Sequence, residues 1–445
     1  MKPIYLDGCA TTRVDDEVLE AMMPYLREEY GNPSSPHAMG KRARRAVDAA
    51  AESVARLIGA GPGEIVFTSG ATESNNIALL GVFAHGDTAP VNGVFCPTDH
   101  KSSLAVGQAL AARGVGTRTM RVRPSGQVDL GHLAGLLDLN TRVATAAWVN
   151  SEIGAVQPVR AMAALCHEAG ALLHVDGAQA AGRIPIDVRD TEPDTLSLSA
   201  HKIHGPKGVG ALYVRPEIRH RLRPIMYGGG QHALRSGTVP THLVVGLGKA
   251  CELAAGRWDA EWRRVLELRA VALDVLTAGF PGLRVNGDPD VSVPHVLNVV
   301  LPGVRGESLV SSLRSVALST GSACNSGSQE PSYVLTAIGL SPEDANSSVR
   351  LCLDPRMSFE DLTLGVETVV ERARALAGVA LDRVTPAGSE PAGLRPVGSE
   401  PAGLRPVGSE PAGLRPVGSE PAALTPAGFT PVGGEPAGVE EVTPL

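Results

Sequence analysis

Only six lysines occur in this 445-residue chain, so few amines are available to hold a carbonyl compound as a Schiff base. One of them, Lys202, stands in LSLSAHKIHGPKG, where an apolar run gives way to Ser199, His201, His204 and two glycines. Small and polar residues at the C-terminal end of a parallel strand are where open α/β sheets put ligands. A second cluster is Glu64-Ile-Val-Phe-Thr-Ser-Gly-Ala-Thr-Glu-Ser74. Its strand ends at Ser69-Gly70 and a helix opens at Thr72. The unpaired N–H groups and positive dipole end of such a helix suit a phosphate, and Thr72 adds a hydroxyl. No GxxxxGK[ST] is present, so a nucleoside-triphosphate loop is not the explanation. The third cluster is His174-Val-Asp-Gly-Ala-Gln179. A carboxylate at the end of an apolar strand needs a cationic partner, and a protonated pyridine nitrogen is one.

Each cluster has an ordinary reading of its own: a surface-loop lysine, a plain helix N-cap, an ion pair with an arginine. Together, a phosphate cup, an Asp at a strand end and a Lys 26 positions further on spell pyridoxal phosphate. His100, in PTDHKSS after the strand Gly93–Cys96, can cover the ring.

The elements that must position these groups alternate. Val18, Leu19, Met22, Met23 and Leu26 form a helical stripe, as do Ala43, Ala46, Val47, Ala50, Val54, Leu57 and Ile58. Short apolar strands are expected at 64–68, 93–96, 144–149, 172–175 and 195–198, each between helical segments. That pattern predicts an α/β fold with a mostly parallel sheet covered by helices. A helix over 261–278 leads into a second strand–helix set beginning at 296–301. The expected division is an N-terminal segment 1–15 joining the small domain and a large domain 16–258. A smaller α/β domain follows at 259–378, then a tail at 379–445. In the tail GSEPAGLRPV recurs at 388, 398 and 408, and its prolines and few large apolar groups predict no regular structure.

Composition excludes several classes. Forty Lys and Arg against 47 Asp and Glu give a net charge of −7, which argues against direct nucleic-acid binding through bulk electrostatics. No apolar run is long enough to span a membrane, and the start does not read as a signal peptide. Six cysteines lack zinc spacing and are too few for a disulfide scaffold, which predicts free thiols in a reducing cytoplasm.

With these residues in hand, the chain resembles the cysteine desulfurases, fold-type I pyridoxal-phosphate enzymes that move sulfur from L-cysteine onto an enzyme cysteine. The matching segments are YLDGCATTRVD, GNPSSPH, FTSGATES, DHKSS, VNSEIGAVQP, HVDGAQ, SAHKIHGPKG, GGGQ followed by RSGT, STGSACNSG and SSVRLCL. They run in order from Tyr5 to about residue 353, and the region around GSAC resembles the class with a long cysteine loop. The resemblance implies that Lys202 carries the cofactor and moves the α-proton. Asp176 pairs with the pyridine nitrogen, Gln179 bonds the ring hydroxyl side, and His100 stacks on the ring and handles protons. Ala71, Thr72, Ser199 and His201 hold the phosphate, with Thr238 reaching in from the second subunit of a homodimer. Arg350 clamps the substrate carboxylate, with Asn150 beside it, and Cys324 takes the sulfur as a persulfide for an acceptor protein. No resident metal is implied, only transient ligation of an iron–sulfur cluster by Cys324 with an acceptor. Cys324 lies in a stretch of small residues, whereas the other five cysteines read as packing residues or incidental thiols.

Three positions depart from the family's pattern. Ser151 stands where an Asn usually touches the ring hydroxyl, the Gly228–Gly237 loop is one residue short and lacks its usual charge pair, and Asp99 replaces a Glu. Two other readings stay open: a selenocysteine lyase or other C–S lyase, and a sulfur-transfer scaffold with little turnover.

Overall fold

The structure, a computed structural model, describes residues 3–84, 90–229, 231–321 and 330–378. The chain divides at 401/402, and the second unit, like the whole repeat region, lies outside the described residues. So does Cys324.

Twelve strands are described, and seven of them build one sheet. β1 (Ile4–Tyr5) belongs elsewhere; β2 (Ile65–Thr68), β3 (Asn92–Phe95), β4 (Gly116–Thr119), β5 (Thr141–Ala147), β6 (Leu172–Asp176), β7 (Thr195–Ser199) and β8 (Gly210–Val214) line up in the order β2-β8-β7-β6-β5-β3-β4. Only β8 opposes its neighbours; β7, β6, β5, β3 and β4 pair in parallel. The expected mostly parallel sheet is there. β2, β3 and β5 to β8 are buried at nearly every position, as continuous Val, Leu and Ala runs covered on both faces require. β4 and β8 escaped the sequence reading. β4 (GTRT) is a largely exposed edge strand with no apolar run to betray it.

The remaining strands form smaller sheets. β9 (Arg284–Val285), β10 (Val296–Val300) and β12 (Ser348–Cys352) are antiparallel in the order β12-β10-β9, and β1 pairs in parallel with β11 (Val316–Ala317). A second apolar core gathers here, built from Leu297, Val299, Val349, Leu351, Leu362 and Val366, and it takes in Leu6 from the N-terminal segment.

One expectation about the helices changes. The helix expected at 261–278 is nearly the whole second half of a 39-residue helix, Thr241–Gly279. Its Val244, Leu247 and Cys251 pack in the first core and its Val265, Leu268 and Leu276 in the second. The change of partner core, not a break in the helix, marks where the packing switches. In the first helix, Asp16–Arg27, Val18 and Met22 are buried, but Leu19 and Leu26 of the same stripe are exposed.

Candidate active site

The C-terminal ends of β6 and β7 open into a cavity of about 570 Å³, within the size range of small-molecule sites. Among the expected site residues, Ala71, Thr72, His100, Ser151, Asp176, Gln179, Ser199, His201, Lys202 and Arg350 line it. Lys202 closes a short turn, Ala200–Lys202, that follows β7. Its ammonium donates to the carbonyls of Cys9 and Ala10, the latter at 2.9 Å. Burial, with the like charges of Arg183 and Arg350 adding to it, pulls its pKa down to about 8. An amine poised near neutrality is both a usable nucleophile toward an aldehyde and a usable base. The turn is held by the N-terminal segment: Thr12 Oγ1 accepts from His204 N at 2.9 Å, and His204 sits at φ 62°.

Asp176 ends β6. Its Oδ2 accepts from Asn75 Nδ2 at 2.8 Å and its Oδ1 from Ala178 N at 3.0 Å. Asn75, fully buried on the helix Ala71–Phe83, also donates to Ser102 Oγ at 2.8 Å. Ser102 in turn lies 2.8 Å from His100 Nδ1. His100 caps the helix Lys101–Ala111, its Nδ1 accepting from Ser102 N at 3.1 Å. Loss of hydration at the cavity wall lowers its pKa, so the ring is neutral at pH 7.

Asp99 lies beneath this wall, 1 % exposed. Burial drives its pKa up to about 8 against the N–H of Ala147, which its Oδ1 accepts at 2.6 Å. Between its unfolded pKa near 4 and about 8 the folded protein holds a proton the unfolded chain has released. Stability contributed by this group is therefore full below pH 4 and is lost as pH rises towards 8. Asp99→Asn, a neutral near-isostere, is expected to flatten that decline and to raise stability at pH 8 by a few kcal/mol, read from urea midpoints across pH. A variant whose pH profile matches the parent's would contradict the buried neutral acid.

At the far end of the cavity the helix Ala71–Phe83 points its N-terminus inward. Gly70 at φ 149° makes the turn into it, a conformation that favours glycine, and no side chain caps the helix. The N–H groups of Ala71, Thr72 and Glu73 lack intrahelical acceptors there. Thr72, Ser199 and His201 line the same end. Burial and the adjacent Lys202 push His201 down to about 4, so it is a neutral donor. Arg235 Nε donates to Glu73 Oε1 at 2.9 Å, which supplies the Gly228–Gly237 loop with a charge pair that its sequence does not reveal. Donors for an anion at one end, a carboxylate amid the sheet and a buried amine between them are the set that a phosphorylated pyridine aldehyde requires. The residues fit that group.

Arg350, on β12 and 2 % exposed, crosses from the second core to the cavity. Its Nη1 donates to the carbonyls of Ser151 (2.9 Å) and Gly321 (2.8 Å), and its Nη2 to Asp7 Oδ1 (2.7 Å) and Ser319 Oγ (2.8 Å). Nε is buried without a partner among the described residues, and the four N–H groups of Nη1 and Nη2 are engaged. Gly321, the last described residue before the Cys324 segment, has φ 117°, and a Cβ there would lie 2.7 Å from Glu152 Oε2. Glycine is required at that point.

One expected site residue is placed elsewhere. Asn150, expected beside the substrate, does not line the cavity: it is 2 % exposed, its Nδ2 donates to Thr98 O and its Oδ1 accepts from Glu152 N and Ile153 N. A short polar side chain at a turn closes its own backbone first. Thr238, expected to act in a second subunit's site, is exposed and lies outside the lining formed by the described residues of its own chain. Gln179 lines the cavity with its amide committed to Cys9 O (2.8 Å) and Arg183. Cys96, Cys166 and Cys251 are buried, which pushes each thiol up to about 12, as inert packing residues require. Cys9 contributes more than packing, since its carbonyl receives both Lys202 and Gln179. Asn75, Ser102, Asp7 and Glu152 were missed. A buried Asn in a helix otherwise rich in Ile, Leu and Ala was the available signal for the first.

Residues 4–364 match the family model described as aminotransferase class-V. The match spans most of the chain, and the fold has the architecture of that class. A cysteine desulfurase IscS of Anaeromyxobacter is 46 % identical over 376 residues, covering 84 % of this chain and 93 % of that protein. Among solved structures, a NifS-like protein superposes with a TM-score of 0.78 at 33 % identity, covering 83 % of this chain and 98 % of the other. SspA in complex with cysteine gives 0.70 at 34 % identity, covering 80 % and 99 %. The chain belongs to the cysteine desulfurase family of class-V aminotransferases.

Proposed function

We propose that this chain binds pyridoxal phosphate on Lys202, removes sulfur from L-cysteine and holds it as a persulfide on Cys324. The single observation that carries the reading is the convergence, in one cavity, of the buried amine of Lys202, the carboxylate of Asp176 and the uncapped helix N-terminus at Ala71 and Thr72. When bound, the cofactor supplies an electron sink for bonds at the substrate's α- and β-carbons. Asp176 would keep the pyridine nitrogen protonated, and His100 would cover the ring. Ala71, Thr72, Ser199 and His201 would hold the phosphate. Lys202, released from its covalent role, is the base for the α-proton. Arg350 would bind the substrate carboxylate through its guanidinium, with Ser151 at the cofactor's edge.

Cys324 would take the sulfur: its thiolate forms an S–S bond as the substrate's C–S bond breaks, and the three-carbon remainder leaves as alanine. The persulfide then passes to an acceptor protein serving iron–sulfur assembly, tRNA or DNA thiolation or a sulfur-containing metabolite. A homodimer in the cytoplasm fits this reading. Its supports are Thr238, exposed on the rim of the Gly228–Gly237 loop, and Tyr227, exposed beside it. No helix among the described residues is long and apolar enough to cross a membrane. The division into 16–258 and 259–378 is part of the same proposal, supported by the switch of core along the helix Thr241–Gly279.

Cys324→Ala tests the assignment. Alanine release from cysteine and the persulfide adduct seen by mass spectrometry are both expected to fall at least ~10²-fold, with cofactor absorbance intact. Alanine production that survives the substitution, with free sulfide or selenide as product, would favour a C–S lyase instead.

A further inference from the structure

A chain of hydrogen bonds, buried from Thr195 to Ser102, ends at His100, and the Asp176 carboxylate and the Ser102 backbone fix its directions. Asp176 accepts only, so the Asn75 atom 2.8 Å from its Oδ2 is the amide nitrogen. The other N–H of that nitrogen goes to Ser102 Oγ at 2.8 Å. Asn75 Oδ1 therefore faces His174 Nε2 at 3.0 Å, which must carry the proton. His174 Nδ1 is left to accept from Thr195 Oγ1 at 2.8 Å. On the other side, the Ser102 N–H caps onto His100 Nδ1, which makes that nitrogen an acceptor, so the Ser102 hydroxyl 2.8 Å away donates to it as well. Ser102 N–H reaches the same nitrogen at 3.1 Å.

Nδ1 of His100 thus receives two donors and is unprotonated. The proton of the neutral ring therefore sits on Nε2, the ring nitrogen that the relay leaves unengaged, on a residue that lines the cavity.

We propose that Asn75 and Ser102 are positioning residues that hold His100 as its Nε2–H tautomer, so that it meets the reacting cysteine as a hydrogen-bond donor and not as a base. A base at that place would need a lone pair on Nε2, and protonating Nδ1 instead would break the helix cap and turn the Ser102 hydroxyl away. A neutral imidazole N–H steadies an anionic sulfur without taking a proton, and the proton-accepting work falls to Lys202. What faces His100 rests on the function proposed above; the tautomer is a property of the protein alone.

The test is ¹⁵N-histidine labelling of the full-length chain, with and without bound cofactor, and two-bond ¹H–¹⁵N correlation to read each ring; His100→Gln assigns the signal. His100 in the Nε2–H form in both samples is expected, and the Nδ1–H form in either would overturn the proposal. Failure to bind cofactor would leave the cofactor-free spectrum readable, so the two failures are distinguishable. Ser102→Ala and Asn75→Ala should mix the tautomers and lower kcat by about tenfold with KM changed less than about twofold, while Ser102→Thr restores both. His100→Gln keeps a donor near Nε2 and should retain about tenfold more kcat than His100→Ala. Equal losses in those two variants, or an unmoved spectrum in Ser102→Ala, would remove the positioning role.

Discussion

Lys202→Ala is expected to lose turnover of cysteine by at least ~10⁴-fold while still binding pyridoxal phosphate. The two halves of that result have separate causes. The anion-binding end of the cavity is built from the helix N-terminus, Thr72, Ser199 and His201, none of which depends on the lysine. On the proposed function, covalent attachment and α-proton removal both depend on an amine that burial holds near a pKa of 8. Lys202→Arg preserves the donors to Cys9 O and Ala10 O but stays protonated, so it should be as inactive as the alanine variant. Added alkylamines should restore a small part of the activity to Lys202→Ala only. An alanine variant that turns over cysteine within about tenfold of the parent would show that another amine does the chemistry.

Arg350→Ala carries the second largest effect, and it acts in two currencies. The guanidinium ties together Asp7 in the N-terminal segment, Ser151 at the cavity wall, and Ser319 and Gly321 just before the Cys324 segment. Removing it leaves these acceptors and the Asp7 carboxylate without their donor, a loss of about 3–5 kcal/mol in a buried setting. On the proposed function the substrate carboxylate would lose its cation as well, so kcat/KM for cysteine should fall by about 10³-fold, mostly through KM. Arg350→Lys keeps the charge but cannot reach four acceptors with three donors on a single nitrogen, and should recover stability only in part. Urea unfolding beside steady-state kinetics separates the two losses. If Arg350→Ala is stable and merely shifts kcat, the residue is not the carboxylate clamp.

How much of this was legible in the sequence differs by kind of residue. Lys202, Asp176 and Thr72 announced themselves because each breaks an apolar pattern at a strand end, where chemistry is usually placed. The helix Thr241–Gly279 was half seen, since its first turns alternate Gly, Val and Leu without the clean stripe that Val265, Leu268, Ala272 and Leu276 give. β8 was missed because GALYV follows a Gly-Pro-Lys-Gly turn and reads equally as loop or strand. The relay through Asn75, Ser102 and His174 was beyond reach, because it joins β6 to two helices separated by up to a hundred residues, and register in three dimensions is what makes it. Asn150 shows the converse: its neighbours in sequence suggested a substrate ligand, and its own backbone claimed it.

Borohydride reduction of the reconstituted full-length protein, followed by protease digestion and mass spectrometry, goes to the heart of the account. A phosphopyridoxyl adduct on the peptide that contains Lys202, and its absence from the peptides of Lys2, Lys41, Lys101, Lys207 and Lys249, is the predicted result. An adduct on one of those other lysines, or a protein that is reconstituted with the cofactor yet yields no adduct, would contradict it.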